Sequence, residues 1–310
     1  MVVMEFDIIK KCFTRPARHK NTQLSVGDDC ALLSVPEGCD LAITADTMVE
    51  SVHFFPDVDP EYLGYKLLAV NLSDLASMGA EPTAVTLALT LPEVDLVWLQ
   101  AFAKGMFALA DKYAIDLIGG DTTSGPLTLT IQAMGVVPKG RALKRSAAQV
   151  GDLVYVTGSI GDAGLGLKLR QGYSCADDIY ALQRFDLPEP RIDEGLVLRD
   201  LANACVDISD GLAADLGHIL NQSGVGARLD YRKLPISASV REYIDKTKDW
   251  QLPLVAGDDY ELCFSISPDK AGQLNIACTC IGVIEAEKGL RLVRNGVESE
   301  FLGGGFEHFK

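Results

Sequence analysis

The sequence predicts an α/β protein built from two domains. Apolar runs of strand length alternate with helical patterns, the order expected of mixed sheets flanked by helices. A length of 310 residues exceeds what one ordinary small core fills, which favours two domains. A polar, basic segment without an apolar period, residues 138–150, separates the two halves. We therefore expect an N-terminal domain over residues 1–138 and a C-terminal domain over residues 139–310.

Composition argues against a membrane protein and against a nucleic-acid-binding surface. Hydrophobic residues make up 48% of the chain, yet no run of about 18 apolar residues occurs. The net charge of -15 argues against a general nucleic-acid surface, because neutralising a phosphate backbone needs clustered Lys and Arg. Glu5 and Asp7 precede any apolar stretch of useful length, so we expect no secretory signal and a cytoplasmic protein. The eight cysteines are then expected to be reduced thiols.

The first half begins with a short amphipathic helix over residues 5–13 and a polar loop over residues 14–23. The strand at residues 41–45 is expected to end at Asp46, where open α/β sheets place their ligands. The elements expected after it are a helix at 66–80, a strand at 83–91, a helix at 95–113, a strand at 116–118 that breaks at Gly119 and Gly120, and a strand at 127–137.

The helix at residues 66–80 carries a carboxylate in its middle. Leu68, Leu72 and Leu75 form its apolar stripe, and Asn71 and Asp74 lie together on a neighbouring face. An unpaired carboxylate so close to a core is costly, so Asp74 needs a partner. A neighbouring loop, a distant arginine or a metal ion would each supply one.

The second half opens with a strand at residues 153–157 that runs into a glycine-rich loop, residues 158–166. That loop lacks the G-x-G-x-x-G spacing, so either close helix packing or a phosphate explains it. Ser209 or Asp210 is expected to cap a helix that runs to residue 222. The other expected elements are a helix at 193–204, a strand at 227–231, a helix at 239–246, an acidic glycine turn feeding a strand at 255–264, and strands at 280–284 and 290–293. The glycine-rich tail, residues 303–309, is either frayed or brings Phe306 onto a ligand.

Aspartates recur at the glycine turns and element ends of both halves. They are Asp28 with Asp29, Asp46, Asp74, Asp121, Asp207 with Asp210, and Asp258 with Asp259. If the fold gathers even half of them, their mutual repulsion calls for cations. Oxygen ligands without His or Cys favour Mg²⁺, which binds one or two carboxylates together with substrate phosphates. The chemistry that this pattern predicts is phosphoryl transfer.

Two further observations concern how a nucleotide that donates the phosphoryl group would be bound. The chain contains no G-x-x-x-x-G-K-[ST], H-R-D or D-F-G motif, which excludes nucleotide binding by a P-loop or by a protein-kinase fold. Arg141, Lys144 and Arg145 are the densest cations of an acidic chain. They form either a solvated linker or a clamp for phosphate.

Six motifs, in this order, resemble those of the thiamine-monophosphate kinase family: VGDDCALL, TADT, NLSDLASMGA, IGGDTT, VDISDG and GDDYELCF. The resemblance runs through nearly the whole chain. It implies two α/β domains of the aminoimidazole-ribonucleotide synthetase type, a homodimer formed through the N-terminal domains, and ATP in a cleft. The implied reaction transfers the γ-phosphoryl group of ATP to thiamine monophosphate and gives thiamine diphosphate and ADP.

The resemblance also implies ligands, position by position. Several Mg²⁺ ions would be held at Asp29, Thr44, Ala45 (through its carbonyl), Asp46, Asp74, Asp121, Asp207 and Asp210. ATP would be held at Gly120, Asp121, Arg145 and Ser209. Thiamine monophosphate would be held at His53, Asp258 and Phe306. No catalytic base is expected, since a phosphate monoester is mostly dianionic at neutral pH. The alternatives are a sibling ATP-dependent synthetase of the superfamily and a nucleotide sensor that hydrolyses nothing.

Overall fold

The computed structural model describes residues 5–174 and 179–306, which fall into two compact units. The first unit is Met1–Leu75 with Ala80–Gly140, and the second is Ala76–Gly79 with Arg141–Lys310. Each unit combines helices with a β-sheet that contains both parallel and antiparallel strand pairs. The predicted α/β class with mixed sheets is therefore confirmed.

The elements up to Pro138 begin with a helix and three strands, after which helices and strands alternate as far as the strand Asp116–Ser124. They are α1 (Glu5–Ile8) continued by a π-helical turn (Ile9–Phe13), β1 (Thr22–Leu24), β2 (Leu32–Leu33), β3 (Cys39–Val49), α2 (Pro60–Ser77), β4 (Glu81–Leu91), α3 (Leu96–Lys112), β5 (Asp116–Ser124) and β6 (Thr128–Pro138). The four longer strands form one sheet in the order β3-β6-β4-β5, and β1 pairs with β2.

The two faces of this four-stranded sheet differ in burial. Leu129 and Ile131 of β6 are fully buried, as alternation along a half-buried strand requires. On β3, Leu41 is 37% and Ile43 is 56% exposed. One face of the sheet thus belongs to the core, while the other presents apolar side chains to solvent.

Two strands are longer than the sequence pattern predicts. β3 does not end at Asp46, because it pairs without interruption with β6 from Cys39 to Val49. β5 does not break at Gly119 and Gly120, because its pairing with β4 continues to Ser124. A Cβ on Gly120 would lie 1.8 Å from the carbonyl oxygen of Leu87. Gly120 is therefore required by the close approach of β4, and not by a loop.

Helix α2 begins six residues before the predicted start and ends at Ser77, three residues before the predicted end. Gly79 has φ of 64°, a left-handed conformation that glycine adopts without strain. The predicted role of Gly79 in ending this helix fits that backbone.

The second unit contains more short elements. They are a 3₁₀ turn (Arg145–Ala147), β7 (Leu153–Thr157), α4 (Asp162–Arg170), α5 (Ile179–Asp186), α6 (Ile192–Leu198), β8 (Ala204–Asp207), α7 (Leu212–Ser223), β9 (Gly226–Asp230), a 3₁₀ turn (Tyr231–Lys233), α8 (Ala238–Thr247), α9 (Leu252–Val255), β10 (Leu262–Ile266), α10 (Pro268–Ala271), β11 (Cys278–Glu285), β12 (Gly289–Arg294) and β13 (Val297–Glu300).

Seven strands of this unit form one sheet in the order β13-β12-β9-β11-β7-β10-β8. The β12–β9 pair is parallel, and the other pairs are antiparallel. Its core includes Val154, Val206, Ile219 and Ile281, all fully buried. The helix predicted at 193–204 is too long: α6 ends at Leu198, because Ala204–Asp207 pair with β10.

Helix α5 lies in a stretch for which the sequence pattern predicts no element. The predicted tail reaches residue 309, and its last three residues lie outside the described part of the chain. Among the described residues, no helix is both long and apolar enough to cross a membrane.

Candidate active site

In the first unit, β3 and α2 bring two carboxylates and a hydroxyl together. Thr44 and Asp46 are two residues apart on β3 and therefore share a face of the strand. The Thr44 hydroxyl donates a hydrogen bond to Asp74 Oδ2. Burial, and after it the negative charge of Asp74, raise the pKa of Asp46 to about 6. These two carboxylates thus repel each other at a partly buried position, which favours a cation between them.

Asn71 ties α2 to this strand. Its side-chain oxygen accepts a hydrogen bond from the backbone N–H of Asp46 at 3.1 Å, and its amide donates to the Leu67 carbonyl at 2.9 Å. Asn71 precedes Asp74 by one helical turn, so both side chains project toward β3. Ala45, the remaining member of the predicted metal set on this strand, is exposed.

His53 lies in the turn that follows β3. Its Nδ1 accepts a hydrogen bond from the backbone N–H of Val49 at 3.0 Å. The neutral ring then carries its proton on Nε2, because the accepting nitrogen has none. A donor therefore sits on the side of the ring that faces away from the Val49 amide.

Two predicted ligands of this unit, Asp121 and Asp29, lie outside that group. Asp121 is exposed on β5, where it pairs in register with Ala88. Asp29 is exposed, and its backbone N–H donates to Asp28 Oδ1 at 3.0 Å. Across residues 5–174 and 179–306, no three His, Cys, Asp or Glu side chains converge closely enough to hold a metal ion by themselves.

In the second unit, the loop between β8 and α7 carries three of the predicted ligands. Asp207 is the last residue of β8 and is buried, and Ser209 and Asp210 follow it. The N-cap residue of α7 is Gly211, so the predicted assignment of that position to Ser209 or Asp210 is wrong. Instead, Asp215 Oδ2 accepts the backbone N–H groups of Ser209, Asp210 and Gly211, each at 3.0 Å.

Asp215 is itself electrostatically strained. Burial, and after it the negative charge of Asp210, raise the pKa of Asp215 to about 7. The three backbone N–H groups partly offset this rise. The carboxyl of Asp215 thus remains buried only because the loop supplies it with donors.

Asp258 belongs to a tight turn held against the same loop. Asp258 and Tyr260 have φ of 67° and 49°, a left-handed backbone that costs on the order of 1–3 kcal/mol at each such residue. The backbone N–H of Asp258 donates to the Ser209 carbonyl at 2.9 Å. The Tyr260 hydroxyl donates to Asp258 Oδ1 at 3.1 Å. The surroundings thus fix both the backbone and the carboxylate of Asp258.

Buried ion pairs hold this turn from inside. Glu261 is fully buried and accepts from Arg191 Nε at 2.7 Å, from Arg191 Nη2 at 2.6 Å and from Arg184 Nη2 at 2.8 Å. The same Arg184 nitrogen donates to the Asp259 carbonyl at 2.7 Å. Two planar guanidinium groups therefore anchor the turn at Asp259 and Glu261.

The glycine-rich loop before α4 has a structural explanation. The buried Asp259 carboxylate accepts from the backbone N–H of Gly161 at 2.6 Å and from that of Ala163 at 3.2 Å. A side chain of the protein thus occupies the helix N-terminus where a phosphate would bind. Of the two explanations that the sequence left open, the structure favours packing.

Phe306 and Arg145 complete the second set of predicted ligands. The backbone N–H of Phe306 donates to the Asp210 carbonyl at 3.2 Å, and the side chain is 52% exposed. Arg145 is half-buried in its 3₁₀ turn. Arg141 pairs with Asp200 instead, as an exposed ion pair. The 208–211 loop thus contains Ser209 and Asp210, and Asp258 and Phe306 are bonded to it through their backbone N–H groups.

Asp215, Tyr260 and Arg184 were not among the predicted site residues. Asp215 lies in the first turn of α7, where acidic residues are common, so its position is the only sequence signal. The roles of Tyr260 and Arg184 depend on contacts within the turn and between distant segments, which no spacing encodes.

Comparison with known proteins agrees with this geometry. The N-terminal domain model of AIR synthase related proteins matches residues 27–137, and the C-terminal domain model matches residues 149–295. Thiamine-monophosphate kinase of Salmonella typhimurium is 48% identical over 322 residues, which span 100% of this chain and 99% of that protein. The chain belongs to the thiamine-monophosphate kinase family.

Solved structures of the family have the same fold. Thiamine-monophosphate kinase from Stenotrophomonas maltophilia K279a is 45% identical, with a TM-score of 0.82 over 88% of this chain and 91% of that one. AaThiL complexed with AMPPCP and TMP is 28% identical, with a TM-score of 0.81 over 98% of this chain and 96% of that one. Both domains expected from the family's superfamily are thus represented in this chain.

Proposed function

We propose that this protein transfers the γ-phosphoryl group of ATP to thiamine monophosphate and releases thiamine diphosphate and ADP. The observation that carries the proposal is full-length identity of 48% with a curated thiamine-monophosphate kinase. A second solved relative, AaThiL, was obtained with AMPPCP, a methylene analogue of ATP, and with TMP. The reaction is the final phosphorylation that yields the diphosphate.

The acceptor needs no catalytic base. The second pKa of a phosphate monoester is about 6, so its oxygens are already unprotonated at neutral pH. The task of the protein is then to bring two anions into line, which rests on positioning and electrostatics.

We infer that Mg²⁺ binds at Asp46 and Asp74, with the Thr44 hydroxyl beside them. The raised pKa of Asp46, caused in part by Asp74, supports a cation at this position. Donors that are oxygen atoms only suit Mg²⁺. When bound, the ions neutralise the charge of the phosphates. The proposed set extends to Asp29, Asp121, Asp207 and Asp210 and to the Ala45 carbonyl.

The other proposed roles follow from donors and ring faces. Gly120, Asp121, Arg145 and Ser209 are proposed to contact the nucleotide. His53 is proposed to donate from Nε2 to the acceptor phosphate, since Nδ1 is already an acceptor. The half-exposed ring of Phe306 suits the cationic thiazolium of thiamine. The Asp258 carboxylate, which the Tyr260 hydroxyl orients, is proposed to contact thiamine monophosphate as well.

We also propose that the protein is a homodimer formed through the sheets of the first unit. The exposed Leu41 and Ile43 on β3 support this, because uncovered apolar side chains on a sheet face favour burial against another surface. A second copy of the same sheet is the partner that the family resemblance implies.

The test of the proposed activity is ADP release with and without acceptor. We expect ADP release that requires thiamine monophosphate and that thiamine, which lacks the phosphate, does not support. ADP release independent of any acceptor would assign a hydrolase or a sibling synthetase. Nucleotide binding without ADP release in either condition would assign a sensor.

A further inference from the structure

One carboxyl oxygen anchors the loop between β8 and α7. Asp215 Oδ2 accepts the backbone N–H groups of Ser209, Asp210 and Gly211, each at 3.0 Å. Asp215 is only 2% exposed, so water does not compete for these donors. Successive N–H groups turned toward one point form a concave anion site, and here the acceptor comes from the chain itself. The backbone conformation of the loop therefore depends on Asp215.

The carbonyl groups of the same loop hold the two segments assigned to the acceptor. The Ser209 carbonyl accepts from the Asp258 N–H at 2.9 Å, and the Asp210 carbonyl accepts from the Phe306 N–H at 3.2 Å. The loop thus bonds on one side to Asp215 and on the other to both segments. A change in its conformation would displace both of them together.

We propose that Asp215 is a positioning residue, which sets the conformation of the 208–211 loop and through it the places of Asp258 and Phe306. Its three hydrogen bonds go to backbone groups, so it acts through the loop and not on the reacting atoms. This inference rests on the proposed function, because that function gives Asp258 and Phe306 their ligand.

The test compares two substitutions of Asp215 with the same two at Asp152. Asp152 is also buried and also accepts several hydrogen bonds, among them those of the Gln149 N–H at 2.9 Å and the Ser265 hydroxyl at 3.0 Å. Ser265 pairs with Ala204, at the start of β8, whereas the loop follows the end of that strand. Asp152 thus controls for the loss of a buried, hydrogen-bonded carboxylate elsewhere in the unit.

Two kinetic results are expected. Asp215→Ala should lower kcat/KM for thiamine monophosphate by about 10²-fold, the loss that a misplacement of about 1 Å produces. Asp215→Asn retains a side-chain oxygen for the N–H groups and should stay within about tenfold of wild type, since a neutral acceptor bonds less strongly. Asp152→Ala should lower the melting temperature but change kcat/KM less than about twofold, because distant sites act independently.

Amide hydrogen exchange without any substrate supplies the second readout. We expect faster exchange of the Asp258 and Phe306 amides in Asp215→Ala, and wild-type exchange of both in Asp152→Ala. Should Asp215→Ala not fold, the comparison of Asp215→Asn with Asp152→Asn carries both measurements.

Equal kinetic losses in the Asp215 and Asp152 variants at equal losses of stability would overturn the inference. Unchanged exchange of the Asp258 and Phe306 amides in Asp215→Ala would do the same. If the wild-type protein did not phosphorylate thiamine monophosphate, the proposed function would fail, and the exchange measurement alone would decide whether Asp215 organises the loop.

Discussion

Asp74 is the carboxylate on which the proposed metal site of the first unit depends. It accepts the Thr44 hydroxyl, and its charge contributes to the raised pKa of Asp46. It also lies on a helix whose apolar stripe is fully buried at Leu68 and Leu72, so its position is rigid. A rigid pair of repelling carboxylates is a ready site for a divalent ion.

Asp74→Asn should lower kcat/KM at saturating Mg²⁺ by at least about 10²-fold, because the substitution keeps the shape and removes the charge that holds the ion. The measurement is steady-state ADP release over a range of Mg²⁺ concentrations. Asp95→Asn is the matched control, since Asp95 caps α3 in the same unit and Asn caps a helix equally well. Near-wild-type activity of Asp74→Asn would remove Asp74 from the metal site.

Arg145→Ala should raise the KM for ATP about tenfold and that for thiamine monophosphate much less, because a charged hydrogen bond to a nucleotide phosphate would be lost. Initial rates with each substrate varied in turn measure the two constants. Arg141→Ala is the control, as Arg141 forms an exposed ion pair with Asp200. A larger rise in the KM for thiamine monophosphate would place Arg145 at the acceptor instead.

Single residues differ in how much the sequence reveals about them. Asn71 and Asp74 could be paired from helical spacing alone, and the structure directs both to β3. Asp215 and Tyr260 could not be identified from the sequence. Asp215 binds three backbone N–H groups and Tyr260 binds the Asp258 carboxylate, and these groups come together only in the folded turns. Asp259 was recognised as an acid of a glycine turn, but its partner at the start of α4 lies almost a hundred residues away in the chain.

The start of α4 and the turn at Asp258–Glu261 are joined by that buried carboxylate. Burial raises the pKa of Asp259 to about 8, and the charge of Asp162 adds to the rise, while the N–H groups of Gly161 and Ala163 and the charge of Arg184 oppose it. A carboxyl whose pKa is higher in the folded state takes up a proton on folding. Its contribution to stability is therefore full below the unfolded pKa of about 4 and is lost as pH rises toward about 8.

Asp259→Asn should flatten the pH dependence of stability. Between about pH 5.5 and about pH 8, the free energy of unfolding should fall more steeply in the wild type than in the variant, by up to about 1.4 kcal/mol per pH unit. Denaturant unfolding followed by Trp250 fluorescence in a Trp98→Phe background reports on the second unit, which contains Trp250. Equal slopes in the two proteins would show that Asp259 is ionised throughout this range.

Element type was predictable where a pattern was long, and element ends were not. The helix predicted at 66–80 has a hydrophobic period over several turns, and the strand predicted at 83–91 has one over several residue pairs. Both elements are present in the structure, as α2 and β4. β3 and β5 run past their predicted ends because strand pairing with β6 and β4 outweighs the local signals at Asp46 and Gly120. The hydrophobic pattern of α5 is weak, because two of the residues that it buries, Arg184 and Asp186, are charged and form ion pairs.

For the molecule as a whole, the proposed homodimer depends on the exposed sheet face of the first unit. Ile43→Asp should convert the dimer into a monomer, because a carboxylate at the centre of an apolar interface would be buried without a partner. Light scattering should give about twice the 33.3 kDa chain mass for wild type and about once that mass for the variant. Val97→Asp, at a 77% exposed position of α3, should leave the dimer intact. A monomeric wild type would contradict the proposed assembly.

The most direct test of the proposed reaction is phosphorus NMR of the purified protein with ATP, Mg²⁺ and thiamine monophosphate, with a parallel sample lacking the acceptor. We expect the resonances of thiamine diphosphate to appear together with those of ADP, and only when the acceptor is present. Free phosphate with ADP in both samples, or unchanged spectra in both, would contradict the assignment of thiamine monophosphate as the acceptor.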